Sequence, residues 1–117
     1  MRQVLAIATA LGDANRLRVL LALRQGELCL CHLIGLLELA PSTVSKHLSQ
    51  LKAAGLVETR REGKWIHYRL SEAKATAAAL RWVTAALAED PQVATDAKAL
   101  QHLCKQKPEE LCACYRS

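Results

Sequence analysis

Apolar residues recur along this chain at helical spacing, with one interruption where the period changes to that of strands. Val4 to Leu11 is an apolar stretch that predicts a short first helix closed by Gly12. Asp13 is placed to cap a second helix, whose Leu17, Val19, Leu20 and Leu23 form a buried stripe and which Gly26 ends. Glu27-Leu28-Cys29 reads as extended. A third helix is expected from about Cys31 to Leu39, stopped by Ala40-Pro41, and a fourth from a Ser42 cap through Ala54, ended by Gly55. In the fourth, Val44, Leu48 and Leu51 fall inward at spacings of four and three. Leu56–Arg61 and Trp65–Leu70 are then β-prone, and Glu62-Gly63-Lys64 joins them as a hairpin. Ser71 is expected to cap a long Ala-rich helix, Glu72 to about Ala88, carrying Leu80, Trp82, Val83 and Leu87. Asp90-Pro91 breaks it, and a last helix from Val93 to about Lys105 precedes the tail Glu109–Ser117. The fold class expected is mainly α with a small β-hairpin wing, a winged helix-turn-helix. Residues 1–90 are expected to form the winged helix-turn-helix domain, and residues 91–117 a C-terminal helix with a cysteine-containing tail.

Composition narrows this further. At 117 residues there is room for one compact domain and a short extension. Phe is absent, so packing falls to Leu, Ala and Val, and Ala and Leu favour helices. The formal charge of +5 suits a polyanionic partner only if the cations gather on one element. No apolar run has membrane-spanning length and no cleavable signal pattern is present, so a cytoplasmic location without membrane contact is expected.

The cations do gather. Ser42, Thr43, Ser45, Lys46, His47 and Gln50 lie on the fourth helix away from its apolar stripe, and are the types that meet phosphates and base edges. Arg60, Arg61 and Lys64 in the hairpin are placed to track the backbone beside the groove. Each feature alone fits an ordinary solvated surface; their order, helix-turn-helix then hairpin, favours binding of double-stranded operator DNA. A single such unit makes few contacts, so a homodimer on two half-sites is expected. The first and fifth helices are candidates for its interface, although periodicity alone would also let them complete the monomer core.

Five cysteines, grouped as Cys29-Leu30-Cys31, Cys104 and Cys112-Ala113-Cys114, do not suggest a disulfide framework. In a regular helix residues i and i+2 point about 200° apart, so Cys29 and Cys31 share one ion only if Cys29 stays outside the helix or the first turn unwinds. Either way, occupancy is coupled to the helix-turn-helix. Thiolates select soft acceptors. Zinc usually takes four ligands, often as C-x-x-C pairs, which two C-x-C pairs fit less well. As(III) and Sb(III) take three thiolates, or two if a third is missing, so the candidate ligands are Cys29, Cys31, Cys112 and Cys114, with the third drawn from Cys104, Cys112 or Cys114 of the same or the other protomer. As alternatives, Cys29 and Cys31 are small buried apolar residues, and the tail pair are bystanders. Cys104, beside Leu100 and Leu103, reads as a core residue, and His32 as a solvated helix residue pointing away from the pair. No Cys/His/Asp constellation suggests an enzyme, and no resident cofactor is required.

Glu27-Leu28-Cys29-Leu30-Cys31-His32-Leu33 resembles the metal motif of the ArsR/SmtB family, and within it of the arsenic repressors. Ser42-Thr43-Val44-Ser45-Lys46-His47-Leu48 is similar to their recognition helix, and Gly63-Lys64-Trp65-Ile66-His67-Tyr68-Arg69-Leu70 to their wing. Over about residues 3 to 88 the resemblance implies a homodimeric repressor of an arsenic-resistance operon, released from an inverted-repeat operator by trivalent arsenic or antimony. It also implies that the first and fifth helices form the dimer interface. Two departures matter. The third cysteine of the best-known arsenic repressors is replaced by Ile34, and the fifth helix lacks the Asp/His pattern of the zinc sensors. The same fold sensing cadmium, lead or thiol oxidation is the alternative.

Overall fold

A computed structural model of the protein describes residues 1–105. The order is α1 (Arg2–Leu11), α2 (Ala14–Ala22), a 3-10 turn Leu23–Gln25, β1 (Leu28–Cys29), α3 (Leu30–Leu37), α4 (Pro41–Ala53), β2 (Val57–Glu62), β3 (Trp65–Leu70), α5 (Lys74–Ala86) and α6 (Pro91–Leu103). The expected hairpin is there, and β1 joins it to make an antiparallel sheet of order β1-β3-β2. None of the helices is long and apolar enough to cross a membrane, among the described residues.

Local chemistry explains most of the boundaries. Asp13 caps α2 as expected, its Oδ1 accepting from the amides of Asn15 at 2.8 Å and Arg16 at 3.3 Å. Between α3 and α4 the chain turns through Glu38, which adopts a left-handed conformation (φ 56, ψ 38) while its amide donates to the Ile34 carbonyl. α4 is not capped by Ser42. Ala40 is its N-cap and Pro41 its first residue, because proline lacks the amide that a helix start leaves unused and forces its predecessor into extended backbone. α4 ends in a Schellman turn: Gly55 sits at φ 80, with Leu56 N–H donating to Leu51 O and Gly55 N–H to Lys52 O.

Ser71 likewise does not cap α5, which starts at Lys74 behind Ala73. Its hydroxyl donates to the Gly55 carbonyl at 2.7 Å and lies 2.6 Å from the Thr76 hydroxyl, so it ties the α4–β2 turn to α5. α6 starts at Pro91, earlier than expected, because Asp90 accepts from the Gln92 amide and caps it.

Val44, Leu48 and Leu51 are fully buried, as their spacing predicts, against Val19, Leu33 and Leu56. One face of the sheet joins this core through Leu28, Val57 and Tyr68. α6, assigned with the tail from its sequence, packs on α2 and α3 and puts Leu100 into the same core. Arg18 holds it there, donating to Asp96 through Nε at 2.8 Å and Nη2 at 3.0 Å while Nη2 also reaches the Leu36 carbonyl. By contrast Val4, Leu5 and Trp82 are 66, 58 and 66% exposed, so the outer faces of α1 and α5 do not complete the monomer core.

Removing the Asp13 cap with Asp13→Ala should cost about 1 kcal/mol of unfolding free energy. Burial opposes ionisation of Asp13, but the Arg16 and Asn15 amides and the charges of His47 and Arg16 outweigh it and hold its carboxyl below the ordinary value. A depressed folded pKa stabilises above the unfolded value and is lost as pH falls through the folded one. Asp13→Asn, which keeps an amide-accepting cap, should therefore show a shallower acid limb in denaturant unfolding at several pH values. Asp96→Ala, which removes the carboxylate partner of Arg18, should cost about 1–3 kcal/mol and speed amide exchange in α6.

Candidate thiol site and nucleic-acid interface

Cys29 lies where the chain passes from strand to helix. It is the last residue of β1 and the N-cap of α3, with extended backbone (φ −72, ψ 151), while Cys31 is the second residue of α3. Cys29 therefore stays outside the helix. The side chains of Cys29 and Cys31 are 2% and 6% exposed and form one cluster with Trp65 of β3 and Leu103 of α6. Cys29 is a free thiol and Cys31 is disulfide-bonded, a bond that the number and grouping of the cysteines did not suggest. The Tyr68 hydroxyl is held above its ordinary pKa, first by burial and then by the neighbouring Cys29 charge.

Two expectations near this pair are corrected. His32 is buried, since α3 is packed upon by α6, α4 and the sheet and has little solvated face. Cys104 is exposed and no part of the core: it is the C-cap of α6, one residue beyond Leu103, and burial still raises its thiol pKa. Cys112 and Cys114 lie outside the described residues. Among the described residues no three His, Cys, Asp or Glu side chains are gathered closely enough to hold a metal ion.

The expected DNA-facing residues divide. Ser42, Thr43, Lys46 and Gln50 are exposed on α4, and Ser45 is half-buried. His47 turns inward: its Nδ1 is 3.2 Å from Arg16 Nη1, and Arg16 Nε also donates to the Ala10 carbonyl, which links α4 to the end of α1. In the hairpin, Gly63 at φ 60 makes the tight turn and Lys64 stands 5.0 Å from the Trp65 ring. Arg61 lies in a cleft between α4 and the hairpin with Ser49, Lys52, Thr59 and Ile66. Arg60 faces the other way, as alternation along a strand requires. Its Nη2 meets Glu27 Oε1 at 2.5 Å and its Nη1 meets Glu62 Oε2 at 2.6 Å.

Ser49, Lys52, Glu27 and His67 were not among the site residues expected from sequence. Ser49 follows Ser45 by one helical turn, a signal available in advance. Glu27 and His67 had none, because both owe their placement to the pairing of β1 with β3.

The comparisons with known proteins agree with this architecture. The family model described as bacterial regulatory protein, arsR family, matches residues 13–59. The arsenic resistance transcriptional regulator ArsR1 of Pseudomonas putida is 45% identical over 74 residues, 60% of this chain and 58% of that one. The arsenical resistance operon repressor of Escherichia coli is 45% identical over 62 residues, 52% and 53% of the two chains. A cadmium resistance regulatory protein CadC of Listeria innocua is 35% identical over 65 residues, 55% of each. The chain thus spans a little over half the length of these curated relatives.

Among solved structures, HlyU from Vibrio cholerae superposes with a TM-score of 0.69 at 30% identity, covering 75% of this chain and 95% of that one. The homodimeric winged helix-turn-helix DNA-binding domain Mb0332 from Mycobacterium bovis does so with a TM-score of 0.66 at 33% identity, covering 75% and 81%. The winged helix-turn-helix named for Mb0332 is the architecture found in this chain, in which α4 is seated on Val44, Leu48 and Leu51. The chain belongs to the arsR family of bacterial regulatory proteins.

Proposed function

We propose that the protein is a cytoplasmic, homodimeric transcriptional repressor that leaves its operator when As(III) or Sb(III) binds the thiolates of Cys29 and Cys31. The observation that carries this reading is the shared apolar cluster of the two side chains at the strand-to-helix junction, directly before the helix pair that presents α4. A soft, three-coordinate ion there pulls on the first turn of α3, and α4 follows. The end of α6 meets the pair through Leu103, which supports a third thiolate from the same protomer, among Cys104, Cys112 and Cys114. Ligation requires Cys31 in its reduced form.

Ser42, Thr43, Ser45, Lys46 and Gln50 are the proposed groove and phosphate contacts, with Arg61 and Lys64 on the flanking backbone. His47 is proposed to act through its link to Arg16, which sets the seat of α4. The exposed Val4, Leu5 and Trp82 support pairing through α1 and α5, which sets the half-site spacing. The names of two relatives point to arsenic and one to cadmium. The choice of arsenic rests on the thiolate-only C-x-C pattern of the candidate ligands and on the two relatives named for arsenic resistance.

Trp65 supplies a built-in reporter. In Trp82→Phe it is the only tryptophan, so arsenite added to reduced protein should change its emission as the DNA affinity falls by about tenfold or more. Cys29→Ser should abolish both responses, and Cys112→Ser/Cys114→Ser decides whether the tail supplies the third ligand. Release by cadmium or an oxidant at concentrations where arsenite is silent would replace the inducer and keep the fold. Separately, Arg61→Gln and Lys64→Gln should each make the slope of log affinity against log salt shallower by about one per protomer. An unchanged slope removes that residue from the contact set.

A further inference from the structure

The register of the sheet sets three residues side by side, one from each strand. Cys29 of β1 is opposite His67 of β3, and His67 is opposite Arg60 of β2. Directly opposed residues of antiparallel strands share a face, so thiol, imidazole and guanidinium form one row across the wing. This is the face turned away from the Tyr68 and Val57 core.

Glu27, two residues before Cys29, closes the row. Its carboxylate accepts from Arg60 Nη2 and from Arg60 Nε at 3.2 and 3.3 Å, and its Oε1 is 3.8 Å from His67 Nδ1. With Glu62 on its other nitrogen, Arg60 has two carboxylates around one positive charge. A guanidinium so occupied offers little net charge to a phosphate. It also lies on the opposite face of β2 from Arg61, which opens toward α4. Meanwhile β1 is only two residues long, so backbone pairing alone holds it weakly to the hairpin. The Glu27–Arg60 clasp supplies the side-chain part of that hold.

We propose that Arg60 is the wing's anchor to the thiol-bearing strand, a positioning residue through which occupancy at Cys29 moves the wing, and not a phosphate contact. The signal part of this rests on the thiol-inducer reading above; the anchor part does not. The pair is solvent-exposed, so its share of the response is modest, and the bidentate geometry with a second carboxylate is what raises it above an ordinary surface pair.

The test uses the full reduced chain on a duplex bearing its operator, with Glu27→Gln, Arg60→Gln, the double variant, and the charge exchange Glu27→Arg/Arg60→Glu. Three quantities are read: the salt slope of arsenite-free binding, amide exchange over residues 57–70, and the fold loss of DNA affinity on adding arsenite. Arsenite occupancy is followed by thiolate absorption. Arg60→Gln should keep the wild-type salt slope, and both single variants should exchange faster in the hairpin. The arsenite effect should shrink by about twofold in each single variant at unchanged occupancy. The double variant should be no worse than either single, and the charge exchange should restore part of the response.

A slope shallower by about one per protomer in Arg60→Gln would make it a phosphate contact and overturn the proposal. So would an undiminished arsenite effect in the single variants, or wild-type protein that binds arsenite while keeping its DNA. If wild type binds no arsenite at all, the inducer reading fails, and the salt slope and hairpin exchange still decide whether Arg60 is the anchor.

Discussion

The pairing of Leu28 and Cys29 with Tyr68 and His67 is a short interaction on which much of the molecule depends. It holds Cys29 in extended backbone at the moment the chain must begin α3, so a residue that would otherwise enter the helix becomes its N-cap. Two side chains that a continuous helix would send to opposite faces therefore share one apolar cluster. The same pairing turns a two-stranded hairpin, marginal by itself, into a three-stranded sheet with one face in the core. Thiols, wing and helix-turn-helix are thus joined at a single junction.

The rest of the core supports that junction from both sides. Val44, Leu48 and Leu51 seat α4 so that Ser42, Thr43, Lys46 and Gln50 face outward, and Arg16 ties the end of α1 to His47. From the other side α6 lies across α2 and α3, fixed by the Arg18–Asp96 pair, and brings Leu103 onto the two cysteines. A disturbance at the thiols meets packed neighbours in α6, in Trp65 and in α3. Closely packed interiors transmit such displacements rather than absorbing them.

Electrostatics on the wing are less uniform than a count of its cations suggests. Of three neighbouring cations, Arg60 is occupied by carboxylates, Lys64 is drawn to the Trp65 ring and Arg61 opens toward α4. Alternation along a strand sends adjacent residues to opposite faces, and a run of basic residues is divided accordingly.

Much was decided by local chemistry and is legible in the sequence alone. The helices, the hairpin, the Asp13 cap, the Gly55 stop and the buried stripe of α4 follow from spacing, capping and the freedom of glycine, which act within a few residues. The cysteine pattern and the polar and basic residues of α4 are likewise properties of neighbours along the chain. What the sequence did not reveal depends on contacts across it. His32 is buried, Cys104 exposed and Ser71 drawn away from its cap because of what packs against α3, α6 and Gly55. Glu38 takes a left-handed backbone where the turn between α3 and α4 demands it. The row of Cys29, His67 and Arg60 exists only because β1 and β2 each pair with β3 at one register, and a slip of one residue in β1 would send Cys29 to the other face from His67 and Arg60.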